Sequence, residues 1–259
     1  MRMMKKVLGT VTVLALSVSL LAGCGSTAAS PVSSAASTAA ESTTSSVVSE
    51  TTSAAADENV AAAAQLLNDL TGSYQELWPV ILADEYQQTW LDDCTALVGE
   101  ENAEAAFEKL SSMVTGDVYG EDAVEAYANG GGAYFCGFTN DLATLTFDGE
   151  TSTISGTDKD GNVLFSHTYH YIGMEPVRGL YEFESDDADS GEFTYFFLAP
   201  DTSAETYHIE FRYGSDADAL SQYDAGDYAY WLASGISTDC DQTMIDNCIE
   251  LFCTENLAG

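Results

Sequence analysis

Positive charge is nearly missing from this chain: 7 Lys and Arg stand against 42 Asp and Glu, for a formal net charge of −35. Three of the seven, Arg2, Lys5 and Lys6, lie in the first six residues. Beyond residue 23, Lys109, Lys159, Arg178 and Arg212 face all 42 carboxylates, 4 − 42 = −38. Nucleic acids and anionic lipids are bound by neutralising phosphate with basic side chains, so this balance excludes a nucleic-acid partner. Histidine is scarce as well, with only His167, His170 and His208. No Gly-x-Ser-x-Gly elbow occurs and none of the three histidines stands in a recognisable hydrolytic setting, so no enzyme is expected. The cysteines include no Cys-x-x-Cys pair, which removes support for a thiolate zinc knuckle or a thioredoxin-like site. Gly130-Gly131-Gly132 lacks the lysine and serine of a phosphate loop and reads as a linker.

What is present begins with an export signal. Arg2, Lys5 and Lys6 precede an uncharged run from Val7 to Ala22 that is too short to span a bilayer comfortably, the pattern of a signal peptide over 1–23. The run ends Leu21-Ala22-Gly23-Cys24, which resembles the lipobox of exported bacterial lipoproteins. Small residues there admit a peptidase to the cysteine whose sulfur takes a diacylglyceryl group. No later stretch is apolar enough to cross a membrane, so the lipid on Cys24 is expected to be the only anchor. The expected location is the cell surface, on the outer face of the cytoplasmic membrane. Residues 24–56 read as a tether: from Gly25 to Ala56, 25 of 32 residues are Ser, Thr or Ala, with no aromatic side chain. As a flexible coil such a segment reaches roughly 30 Å.

The remaining 57–259 suffices for one well-buried domain. Its acidity admits two readings, concentration of cations or a solvated surface that keeps a tethered domain off the membrane. Besides Cys24 it holds Cys94, Cys136, Cys240, Cys248 and Cys253, an odd number that allows at most two internal disulfides.

Apolar residues at helical spacing mark three amphipathic helices, through Val60 to Leu70, Tyr86 to Leu97 and Ala103 to Met113. Asp57 is the expected N-cap, and Gly72, Gly99 and Gly116 are expected stops. A short fourth helix, Glu121 to Tyr127, completes a helical part over 57–130. After the glycine triplet the period falls to two, giving about six strands near Leu142 to Phe147, Thr151 to Ser155, Val163 to Tyr171, Gly179 to Glu184, Glu192 to Leu198 and Glu205 to Tyr213. Asp148-Gly149 and Asp160-Gly161 suit tight turns of positive φ. The carboxylates near Asp158 and Asp186 fail the spacing of a calcium loop. Short regular antiparallel strands predict a barrel, which removes exposed sheet edges. A helix from Ser237 to Phe252 follows, with Met244, Ile245, Cys248, Leu251 and Phe252 as its apolar stripe. The expected class is mainly β with α: an antiparallel β-barrel with an N-terminal helical extension and a C-terminal helix.

The segments Leu70-Thr-Gly-Ser-Tyr-Gln-Glu-Leu-Trp-Pro-Val-Ile-Leu82, Tyr171-Ile-Gly173, Phe193-Thr-Tyr-Phe-Phe-Leu-Ala-Pro200 and Ala204-Glu-Thr-Tyr-His-Ile-Glu-Phe-Arg-Tyr-Gly-Ser-Asp216 follow one another in an order that resembles the ZinT (YodA-type) family. That resemblance implies a calycin, lipocalin-like barrel and zinc binding outside the cytoplasm, as in the C-terminal part of Gram-positive zinc-capturing lipoproteins. It also implies a metal transporter or its binding protein as partner. The family's site uses three histidines, one of them ahead of a His-aromatic-His triplet. Here Phe196 falls at the first position and the triplet reads Thr206-Tyr207-His208, leaving His208.

Strand alternation places Thr206, His208, Glu210 and Arg212 on one face and Tyr207, Ile209, Phe211 and Tyr213 on the other. With the polar face lining the barrel, His208, Glu210 and His170 form a chemically sensible zinc set. His170 is preferred to His167 because it shares a face with Ser166 and Thr168. The alternatives are a metal-free barrel that binds a small apolar ligand or a protein partner, with His208 hydrogen-bonded inside and Arg212 paired to Glu210.

Overall fold

The computed structural model describes residues 47–200 and 208–258, with side chains from Glu58 onward. The signal peptide, Cys24 and the tether up to residue 46 lie outside the described residues, as do Thr206 and Tyr207. The first helix, α1, runs Val47–Asp69 and so takes in the last ten residues of the stretch read as tether.

Eight antiparallel strands close into a barrel in simple sequence order. They are β1 Gly72–Glu76, β2 Thr144–Asp148, β3 Thr153–Thr157, β4 Val163–Met174, β5 Tyr181–Ser185, β6 Tyr195–Leu198, β7 His208–Gly214 and β8 Ala233–Ser237. Six of these match the expected strands; β1 and β8 do not. β1 sits inside the part read as helical, so the division at residue 130 is corrected. It pairs with β2 on one side and β8 on the other, which is how the barrel closes.

The interior is filled by rings. Phe147, Phe183, Phe196, Phe211, Tyr213 and Trp231 are all fully buried in one cluster. Phe196 has ring centroids of Phe165, Tyr169, Phe211 and Tyr213 within 5.4 to 6.4 Å. Aromatic side chains at such distances make a packed core. Among the described residues these rings occupy the centre of the barrel.

A second core lies outside the barrel. Helices α2 Leu77–Ile81, α3 Gln87–Val98, α4 Glu100–Val114 and α7 Gln242–Leu257 bury Trp78, Trp90, Leu110, Ile249 and Cys253 together with Ile236 of β8. α3 packs along both α4 and α7. The short helices α5 Glu121–Ala128 and α6 Ala217–Leu220 complete the α-helices among the described residues. The glycine signals divide by role. Gly161 adopts φ +81 as expected, whereas Gly149 serves close approach: a Cβ there would stand 2.4 Å from the Cα of Asn68 on α1. In that hairpin Ser152 takes the positive φ, at 52°.

Candidate metal site on the outer face of the barrel

Alternation along β7 separates its residues as read from the sequence, but the faces are exchanged. Ile209, Phe211 and Tyr213 belong to the barrel interior. His208 and Glu210 point outward, opposite Ile236 and Ser234 of β8. The reason is the helical layer: once α2 and α7 cover this flank, the outer face of β7 is itself sheltered, and the rings take the more fully dehydrated side.

Arg212 shares that outer face and is fully buried. Its guanidinium donates to the carbonyls of Leu220, Gln222 and Tyr228, so backbone oxygens rather than Glu210 hold it. It also stacks 4.4 Å from the Tyr223 ring centroid, with Arg178 4.3 Å from the same ring. The pairing of Arg212 with Glu210 is therefore corrected.

His170 does not join His208. It lies on the outward, exposed face of β4 with Nδ1 2.8 Å from Asp186 Oδ1. Strand register carries its row through Glu184 and Tyr195 to Gly214 of β7. His208 is six residues further along, so the two are separated by roughly 14 Å across the strands and roughly 20 Å along them. His167, on the inward face of β4, has Nδ1 2.8 Å from Asp187 Oδ2. Phe196 points into the aromatic core and pairs with Tyr213, away from His208.

What does meet His208 and Glu210 is the C-terminal helix. A pocket of about 30 Å³ is lined by both, by Cys248 and Glu255 of α7, and by Leu77, Trp78, Ile81, Leu251 and Phe252. That volume suits a water or an ion. The donor types are those zinc accepts, an imidazole, two carboxylates and a thiol, and no Lys or Arg lines the pocket. Burial pushes the Cys248 thiol up to about 12, with Glu210, Cys240 and Glu255 adding to the rise. Among the described residues no three His, Cys, Asp or Glu side chains stand close enough together to hold an ion. The pocket thus gathers suitable donors without closing them into a cage. The contributions of Cys248 and Glu255 escaped sequence reading because nothing local in the sequence docks α7 on β7.

Two larger clefts, about 370 and 340 Å³, flank Thr115 and Gly116 and have no histidine in their walls.

The closed up-and-down eight-stranded antiparallel barrel with a helical flank defines the class: a calycin-like barrel protein. Among solved structures the chain is similar to the Zn(II)-bound ZinT-like domain of Streptococcus pneumoniae AdcA, 15% identical over 71% of this chain and 89% of that one, with a TM-score of 0.45. It is also similar to Zn(II)-bound AdcA from Streptococcus pneumoniae, 14% identical over 72% of this chain and 35% of that one, with a TM-score of 0.44. No family model and no curated protein matches the sequence. The fold rests on the strand pairing described above, and the candidate site on this chain's own residues.

Proposed function

We propose that the protein is an extracytoplasmic binding protein, anchored by lipid on Cys24, that captures a divalent metal ion, zinc first, and delivers it to a metal transporter or its binding protein. The observation that carries this reading is the wall of the β7–α7 pocket, where His208, Glu210, Cys248 and Glu255 gather with no cationic side chain. A divalent cation is the ligand such a wall is suited to, since zinc takes three or four N, S or carboxylate donors. His208 and Glu210 are the residues of the chain assigned to hold it, with α7 supplying the rest. His170 is left out of the set. The rival reading, a metal-free barrel that binds a small apolar ligand or a protein partner, predicts no response to zinc or to chelator.

The test is a calorimetric titration of the purified protein with zinc and with calcium, joined to thermal unfolding with and without chelator. Zinc binds only the folded form and raises the midpoint. His208→Ala and Glu210→Gln weaken zinc binding by roughly tenfold or more, while His170→Ala leaves it unchanged. Equal binding by His208→Ala, or no zinc binding at all, overturns the reading.

A further inference from the structure

We propose that Cys94 and Cys253 form a disulfide bond that fastens the C-terminal helix α7 to α3. Their Sγ atoms stand 3.9 Å apart. Both residues are fully buried, in the apolar layer between the two helices. This is the one contact between sulfurs among the described cysteines, although Cys136, Cys240 and Cys248 also belong to that layer or pack against it. Side-chain rotation has to bring the sulfurs to about 2.05 Å, the length of the bond. The result accounts for the odd cysteine number as one bridge and three thiols.

The α3–α7 seam gives the bond a purpose. Asp93, next to Cys94, has its carboxyl held above the usual range by burial and by Glu250 and Asp246 of α7. Apolar packing therefore closes the seam against like charge, and a covalent link would oppose opening of α7. That helix also carries Cys248 and Glu255, so the same link fixes one wall of the β7–α7 pocket.

The chemistry balances with a disulfide as oxidant. Each thiol gives up a proton and together the two sulfurs give up two electrons, which reduce a low-molecular-weight or protein disulfide to two thiols through a mixed-disulfide intermediate. In the closed fold both thiols are fully buried and out of reach of an oxidant, so the bond forms while α7 is docking or when it lifts. The proposal rests on the exported location only for the oxidising compartment; the geometry is independent of it.

The experiment treats the purified protein with oxidised glutathione and maps it by mass spectrometry after non-reducing digestion with a Glu-specific protease. The expected product is a peptide pair joined through Cys94 and Cys253, lighter by two hydrogens. The bond closes a long loop of chain, so the thermal midpoint rises by roughly 10 °C and falls back with dithiothreitol. The rise is absent in Cys253→Ala and kept in Cys136→Ala. No loss of alkylatable thiols on oxidation, read after denaturation, or a bridge between another pair, overturns the proposal. Alkylation in intact cells separates it from the exported location: a bridge formed in vitro with free thiols in cells upholds the disulfide and counts against export. The zinc titration reads neither result.

Discussion

Asp93 illustrates how a chain so short of cations settles its carboxylates. Its Oδ2 is buried without a hydrogen-bond partner among the described residues, and it faces two more acids across the seam. Its folded pKa is raised above 3.8, mainly by burial and then by Glu250. The folded state therefore holds this proton more tightly than the unfolded chain. That preference favours folding below the unfolded value and is lost as pH rises from 3.8 through the raised folded pKa. Asp93→Asn is expected to raise the thermal midpoint at neutral pH and to make no difference near about pH 3, where both states are protonated. A lower midpoint at neutral pH would mean that the carboxylate makes a stabilising bond after all. At the same scale, the pairing of His208 with Glu210 on one face was legible from the period of two. The side of the barrel they occupy was not, because polarity marks the outer face only when water covers it, and here helices do.

At the scale of elements, strands such as β2 and β4 bury one face more than the other, and alternation reads them directly. The two that escaped show no such pattern. β8, Ala233-Ser-Gly-Ile-Ser237, is buried on both sides over its first four residues and is built of small side chains, so no alternation is visible. β1 is five residues long and wedged between two helices, where helical periodicity runs up to its edge. Glycine beside α1 was read correctly as a turn in Asp148-Gly149 but for the wrong reason, since tertiary approach, not positive φ, demands it there. The C-terminal helix was legible from its stripe, although its start falls at Gln242 rather than Ser237, which ends β8. Its cap is Asp241, whose Oδ1 accepts from the Met244 amide at 3.0 Å. Asp241→Ala is expected to cost about 1 kcal/mol in urea denaturation. A loss well below that would indicate that α7 is held by its buried Ile249 and Cys253 face, with its first turn contributing little.

For the whole molecule, the sign of the charge was plain in the composition while its distribution was not. Of the four cations beyond residue 23, Arg212 is fully buried and Arg178 is half-buried, the two flanking the ring of Tyr223. Arg178 also donates to the Tyr134 hydroxyl at 3.2 Å. The basic side chains left on the described surface are Lys109, within α4, and Lys159, exposed in the turn between β3 and β4.

That stack of two guanidiniums on one ring has a consequence for resistance to proteolysis. Trypsin-like proteases cleave after Lys or Arg, and need several residues of chain to unwind around the bond they cut. Of the four target bonds among the described residues, two are withheld by the Tyr223 stack and a third lies within a helix. Within residues 47–258, limited trypsin digestion of the folded protein is expected to cut first after Lys159, giving two fragments that stay together through strand pairing, and an early cut after Arg178 or Arg212 would show that the stack opens. Holding two of these four basic side chains against one ring leaves such proteases few bonds to recognise.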